Sequence, residues 1–112
     1  MEVTARTLGG IKIIALTGKI LSSQDTAGMH NEVRLAVEAD SIKVILDLSG
    51  LDWMNSTGLG ALVAANGRLT GVGGELRLAC PNDTITELLH LNKLDRVFEI
   101  YPDLESAIAS FR

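Results

Sequence analysis

The most informative stretch of this sequence reads Asp47-Leu48-Ser49-Gly50-Leu51-Asp52-Trp53-Met54-Asn55-Ser56-Thr57-Gly58-Leu59-Gly60. It completes an apolar run over 42–48 that is nearly continuous and rich in β-branched residues, as expected of a central strand covered on both faces. Residues 49–55 are predicted to be a connector, and an amphipathic helix over about 57–70 follows. The stretch therefore joins the carboxyl end of a buried strand to a helix N-terminus. In open α/β sheets, binding sites form at this edge.

The rest of the chain alternates between strand and helix patterns. Two β-like runs on either side of Gly9-Gly10 predict a hairpin, because a primed two-residue turn needs positive φ at both positions. Further along, the patterns predict a helix over about 23–39 after a capping box at Ser22 and Asp25, a strand at 75–79, a helix capped by Asn82, a short strand or extended lead-in at 97–101, and a last helix from Asp103. The order is β-β-α-β-α-β-α-(β)-α. We expect one α/β domain over 1–112, with a sheet of four to five mixed strands and four helices.

Length and composition exclude several classes of protein. The 112 residues suit one domain, and 46% apolar with 21% charged residues is ordinary globular usage. The net charge of −4 provides no basic surface for nucleic acid or anionic lipid, and 4% aromatic residues cannot build a base-stacking platform. No apolar run approaches the roughly 18 residues of a membrane span. The single cysteine fits a reducing compartment, so we expect a cytoplasmic protein with no direct membrane insertion.

Residues that could support catalysis or metal binding are scarce. His30 and His90 have no partner ligand at metal spacing and are assigned to surface or cap roles. Cys80 is expected to be a small buried hydrophobe. Asp47 and Asp52 are assigned to strand-end or surface positions, since no nucleophile or base accompanies them. The chain lacks a nucleotide-binding phosphate loop, and Gly71-Val72-Gly73-Gly74 is interpreted as a helix stop. We therefore predict a protein that is not an enzyme and holds no metal or cofactor.

The start of the helix near residue 57 supports two interpretations. Asn55 or Ser56 can accept a hydrogen bond from the unpaired N–H groups of the first turn. Gly58 and Gly60 would leave this helix end open to close approach. The simpler interpretation is an N-cap with tight packing. The alternative is a hydroxyl presented at a positive helix end, where a phosphate is favoured.

The motif Asn55-Ser56-Thr57-Gly58-Leu59-Gly60 resembles the signature of STAS domains, and most of all that of bacterial anti-sigma-factor antagonists. Their usual form reads Asp-Ser-Ser-Gly-Leu-Gly or Asp-Ser-Thr-Gly-Leu-Gly. Weaker resemblances flank it at Leu16-Thr17-Gly18, at Gly73-Gly74, and at Leu94 followed by 97–101. The resemblance implies the STAS fold along nearly the whole chain.

Carried over residue by residue, the resemblance makes Ser56 the phosphoacceptor, with Thr57 as second choice. The implied partners are a serine kinase that is itself the anti-sigma factor and a metal-dependent serine phosphatase. The chain itself is expected to be a monomer or weak homodimer that acts in transcriptional or stress control. Trp53 is counted among the contacts, although an internal anchor is the preferred interpretation of its side chain. The implied partner-binding residues are Lys19, Leu21, Ser22, Ser23, Trp53, Asn55, Ser56, Thr57, Gly58, Leu59 and Gly60.

This chain departs from the family pattern at two places. Asn55 stands where the family usually has Asp, and Gly18-Lys19-Ile20-Leu21 replaces the common Gly-Glu-Leu-Asp. The first change removes a carboxylate beside the hydroxyl, and the second reverses one charge and removes another. These departures give some weight to an alternative function, a constitutive STAS subunit of an ATP-binding-cassette lipid transport system or of a stress-signalling assembly.

Overall fold

The five strands lie side by side in the order in which they occur along the chain. A computed structural model describes all residues, 1–112. The first two strands are antiparallel, and every later neighbour is parallel. The elements are β1 (Glu2–Leu8), β2 (Ile11–Ile20), α1 (Ser23–Glu38), β3 (Lys43–Met54), α2 (Ser56–Thr70), β4 (Glu75–Ala79), α3 (Asp83–Leu91), a 3₁₀ turn (Leu94–Arg96), β5 (Glu99–Tyr101) and α4 (Leu104–Ala109). The predicted mixed α/β architecture is confirmed.

The hairpin between β1 and β2 forms as predicted from its glycine pair. Gly9 and Gly10 have φ of 57° and 81°, and Leu8 lies opposite Ile11 across the two-residue loop. Both backbone positions lie in the left-handed region, which glycine adopts at no steric cost.

The sheet is covered by helices on both faces, and β3 is its buried centre. Helices α1, α2 and α3 pack on the face that carries Val44, Leu46 and Leu48. The short helix α4 packs on the opposite face against Ile45 and its neighbours on β2 and β4. All four of these β3 side chains are fully buried, as expected of a central parallel strand.

Helix α4 is held on its face of the sheet by Arg77 of β4. The guanidinium lies 4.0 Å from the centre of the Phe111 ring and donates to the Ser110 hydroxyl at 2.5 Å.

Cys80, directly after β4, is half-buried beside this second core rather than fully buried as predicted. Its left-handed backbone (φ 60°) leads the chain out of the sheet toward Pro81, so the thiol lies at the core margin.

The prediction of a connector at 49–55 is wrong, because β3 continues to Met54. Two register shifts against β2 each add one extra residue to β3, and pairing then resumes as far as Ile20 opposite Met54. Gly50 lies so close to β2 that an added Cβ would come within 2.7 Å of the Thr17 hydroxyl. Serine, glycine and aspartate suggested a loop, but here they belong to a bulged strand.

Candidate functional site

The candidate site lies where β2 and β3 end and α2 begins. Ile20 and Met54 are paired neighbours at these strand ends, and both are fully buried. The Asn55 N–H donates to the Ile20 carbonyl at 3.2 Å, which ties the start of α2 to the end of β2. The helix N-terminus is therefore anchored to the carboxyl edge of the sheet, as the sequence predicted.

Asn55 is the N-cap of α2 and also links two elements. Its Oδ1 accepts the Thr57 N–H at 3.0 Å, and its Nδ2 donates to the Leu21 carbonyl at 2.9 Å. Its own carbonyl accepts the N–H groups of Gly58 and Leu59. An ionised aspartate can only accept hydrogen bonds, so it could not make both side-chain bonds. The asparagine that departs from the family pattern has a structural role in this chain.

Ser56 is the first residue of α2, and its side chain is exposed. Because Asn55 supplies the cap, the Ser56 hydroxyl makes no hydrogen bond within the chain. Thr57 is also exposed, one position further into the helix. The hydroxyl of Ser56 is thus free, accessible and placed at the positive end of a 15-residue helix.

The two glycines of the motif face opposite ways. A Cβ on Gly58 would come within 2.7 Å of the Met54 Cβ and 3.2 Å of the Ile20 Cγ2, whereas a Cβ on Gly60 meets nothing within 4 Å. Gly58 is buried and lets α2 lie close against the strand ends. Gly58, which is among the predicted partner contacts, is thus a packing position of the fold, whereas Gly60 is open.

Two large apolar side chains are exposed at the same edge. Leu21 follows β2 directly and is 56% exposed, and Trp53 near the end of β3 is 39% exposed. The preferred interpretation of Trp53 as an internal anchor is wrong, since the register shift opposite Gly18 and Lys19 turns it outward; Met54 is buried instead. An exposed tryptophan is the kind of side chain that anchors interfaces.

The segment that carries Leu21 is held by Asp25. The Asp25 carboxylate accepts the N–H groups of Leu21 at 2.8 Å and Ser22 at 3.1 Å. The bond from Leu21 is the main reason that the pKa of Asp25 lies below its ordinary value. With Asn55 Nδ2 on the Leu21 carbonyl, both backbone groups of this residue are bonded, so its apolar side chain is presented from a fixed backbone.

The structure brings most of the predicted partner-binding residues to one edge of the sheet. The exposed members are Lys19, Leu21, Ser22, Ser23, Trp53, Ser56, Thr57 and Gly60, the half-buried members are Asn55 and Leu59, and Gly58 is buried. One residue that supports this edge was predicted only as the cap of α3. Asn82 caps α3, but its Nδ2 also donates to the carbonyls of Leu51 and Asp52 at 3.2 Å each. Nothing in the sequence indicated this second role.

The His, Cys, Asp and Glu side chains form no cluster that could hold a metal ion. His30 is half-buried on α1, while His90 is exposed at the end of α3 and lies 2.7 Å from Asp95. Asp47 accepts the Ser49 N–H at 3.0 Å, and Asp52 is exposed. No helix has the length and apolarity to cross a membrane.

A family model described as the STAS domain matches residues 2–107. The chain therefore belongs to the STAS domain family, and the resemblance seen in its motif is confirmed. The match covers nearly all of the strands and helices described above.

Individual relatives are similar over the full length. The chain is 27% identical over 112 residues to a Bordetella bronchiseptica protein, BtrV, which is classed by name as an anti-sigma factor antagonist; the match covers all of this chain and 96% of that protein. An anti-sigma factor antagonist structure from Thermotoga maritima superposes with a TM-score of 0.81 at 22% identity, covering 96% of this chain and 92% of that one.

The anti-sigma factor antagonist SpoIIAA has been solved in two states. Its phosphorylated form matches with a TM-score of 0.78 at 18% identity, covering 99% of this chain and all of that one. Its unphosphorylated form matches with a TM-score of 0.73 at 20% identity, covering 99% and 98%. At these identities the structural likeness shows the fold, which is that of the STAS domains of anti-sigma factor antagonists.

Proposed function

We propose that this chain is an anti-sigma factor antagonist whose binding is switched by phosphorylation of Ser56. In the unmodified state it binds an anti-sigma factor that is also a serine kinase, and phosphorylation by that kinase releases it. A metal-dependent serine phosphatase restores the unmodified form. The chain itself acts in the cytoplasm by binding rather than by catalysing a reaction.

The observation that carries this proposal is the free hydroxyl of Ser56. It is exposed, makes no hydrogen bond within the chain and lies beside the cap that Asn55 already provides. Names of similar proteins add support, since BtrV is classed as an anti-sigma factor antagonist and SpoIIAA exists in phosphorylated and unphosphorylated forms.

A phosphate at Ser56 is compatible with the fold. It adds about −1.5 to −2 charge and three acceptor oxygens at a helix N-terminus, where negative charge is favoured. No internal hydrogen bond of the Ser56 hydroxyl is lost, because none is made. We therefore expect the modified chain to remain folded.

The same phosphate would strongly affect a partner that packs over the start of α2. Leu21, Trp53 and Gly60 offer such a partner an apolar and open surface around Ser56. Burying a hydrated dianion there without a matching cation costs several kcal/mol. A loss of only about 3 kcal/mol weakens binding more than a hundredfold. Modification can thus break the complex without moving the backbone.

The decisive experiment combines mass analysis with binding. The chain is isolated from its own cells under several growth and stress conditions for intact mass and phosphopeptide mapping, and is incubated in vitro with ATP and each candidate anti-sigma factor kinase of the same genome. We expect one phosphate on Ser56, which Ser56→Ala removes and Thr57→Ala retains.

Binding of the same kinase is then measured by calorimetry. We expect Ser56→Asp to weaken it at least tenfold and Ser56→Ala to leave it nearly unchanged, because alanine keeps the site small and uncharged. An unmodified protein under every condition, together with undiminished binding by Ser56→Asp, would refute the switch. That result would favour the constitutive subunit of a transport or stress-signalling assembly.

A further inference from the structure

Strand β1 leaves a full backbone edge of the sheet open. It is seven residues long, pairs with β2 on one side only, and keeps an uninterrupted register without a bulge. Every residue of β1 is exposed except Val3, which is half-buried. Proteins usually protect such an edge with proline, a bulge, charged side chains or a covering segment, because an open edge is a template for another strand. β1 has no proline and no bulge, and its two charged residues, Glu2 and Arg6, have opposite signs.

The hairpin geometry determines which backbone groups of β1 point outward. In a two-residue primed hairpin the loop-closing pair is hydrogen-bonded, which here is Leu8 with Ile11. Hydrogen-bonded and non-hydrogen-bonded pairs alternate along an antiparallel ladder. The even-numbered residues of β1 therefore bond to β2. Val3, Ala5 and Thr7 direct their N–H and C=O groups away from the sheet.

We propose that a second copy of this chain pairs with this edge, antiparallel, with Thr4 opposite Thr4. In that register Val3 and Ala5 exchange backbone hydrogen bonds across the two-fold axis. Glu2 of each copy lies opposite Arg6 of the other. These two are the only charged residues of β1, and their side chains are on the same face of the sheet.

Charge complementarity selects this register over its neighbours. Only the odd-numbered residues of β1 have outward-facing backbone groups, so the two copies can bond only when odd-numbered residues lie opposite odd-numbered ones. The neighbouring registers are therefore shifted by two residues in either direction. One such shift places Glu2 opposite Thr4, and the other places it opposite Leu8. In neither of these shifted registers does Glu2 lie opposite Arg6. Opposite charges directly across an antiparallel pair stabilise it, whereas like charges destabilise it.

The dimer would leave the candidate site accessible. The two-fold axis runs perpendicular to the joined ten-stranded sheet, so the carboxyl edges of the parallel strands point in opposite directions in the two copies. Ser56 begins α2 at the carboxyl ends of β2 and β3, whereas the dimer contact is made by β1. Each copy can then bind its own partner, and self-association does not depend on the phosphorylation proposed above.

A charge-swap series tests the register in solution. Sedimentation velocity over a range of concentrations is run on the full chain, on Glu2→Arg, on Arg6→Glu and on the double swap, with circular dichroism to confirm folding. We expect each single swap to weaken dimerisation about tenfold or more, because it creates two like-charge pairs by symmetry, and the double swap to restore it. A wild-type chain that stays monomeric at the highest concentration overturns the proposal. So does a double swap that behaves like the singles.

Disulfide trapping gives an independent measurement. In a Cys80→Ser background, Thr4→Cys places two thiols directly opposite each other at a Cα separation of about 4.5 Å, within the range that a disulfide spans. The matched control is Thr7→Cys, which keeps both charged residues of β1 and whose two copies would be about 20 Å apart along the ladder. We expect Thr4→Cys to form a covalent dimer under mild oxidation and Thr7→Cys to remain monomeric. Equal trapping of both variants would overturn the register.

Discussion

Alanine substitution of the two motif glycines should have opposite effects on stability. Gly58 and Gly60 lie two residues apart in α2, and at either position alanine brings a helix-propensity gain of about 0.5–1 kcal/mol. At Gly60 nothing lies within 4 Å of an added Cβ, so Gly60→Ala should stabilise the fold by that amount. At Gly58 the added Cβ would come within 2.7 Å of the Met54 Cβ. The Met54 Cβ is fixed to its backbone and cannot rotate away, so α2 must shift.

The comparison isolates the cost of that shift. Overpacking a well-filled core costs about 1–3 kcal/mol. Because the helix-propensity gain is the same at both positions, Gly58→Ala should be less stable than Gly60→Ala by about this overpacking cost. Urea unfolding followed by the fluorescence of Trp53, the single tryptophan, and by circular dichroism measures both variants against the wild type. Equal midpoints for the two variants, at an unchanged denaturant slope, would refute the packing argument. If a partner covers the outer side of α2, Gly60→Ala should also weaken binding while it stabilises the fold.

Two further predictions concern the cap and the histidines. Asn55→Asp keeps the acceptor for the helix but loses the donor to the Leu21 carbonyl and faces it with a carboxylate oxygen, so we expect a loss of about 1–2 kcal/mol in urea unfolding; unchanged stability would contradict the linking role. In an NMR titration, the hydrogen bond that His90 donates to the Asp95 carboxylate should raise the pKa of His90 above 6.5, while burial should lower the pKa of His30 below it. Asp95→Asn should return only His90 toward 6.5. Because the pKa of His90 is raised in the folded state, it adds stability that is fully present below about pH 6.5 and is lost as the pH rises through the folded-state pKa. Asp95→Asn should therefore make the free energy of unfolding vary less with pH in this range.

Local backbone chemistry explains which parts of the fold could be predicted from the sequence. Gly9-Gly10 specified the hairpin because a two-residue type I′ turn needs positive φ at both positions. The β-branched run in β3 specified a doubly covered strand, and Asn55 and Asn82 were recognisable as caps. Each of these signals acts within a few residues of its own position.

The errors at β3 and at Trp53 have one cause. Two extra residues in β3 break the two-residue alternation, so that Leu51 and Met54 are buried while Asp52 and Trp53 both point outward. A bulge depends on how two strands pair across the sheet, and no local pattern in β3 indicates it. The second bonding role of Asn82 depends in the same way on how α3 meets the end of β3. Long-range pairing thus determines which side chains surround the candidate site.

Helix geometry separates fold and proposed switching within the six residues of the motif. Asn55 and Gly58 hold the fold, the first through its cap and its bond to Leu21, the second through close packing on Met54. Ser56 and Gly60 lie about 40° apart around α2, and both face outward. The Ser56 hydroxyl makes no internal hydrogen bond, and a Cβ added at Gly60 would meet nothing within 4 Å. A phosphate on Ser56 therefore leaves the holding contacts intact, and its charge is unfavourable only for a covering partner. This separation predicts that Ser56→Asp will weaken binding without destabilising the fold, whereas Gly58→Ala will change both.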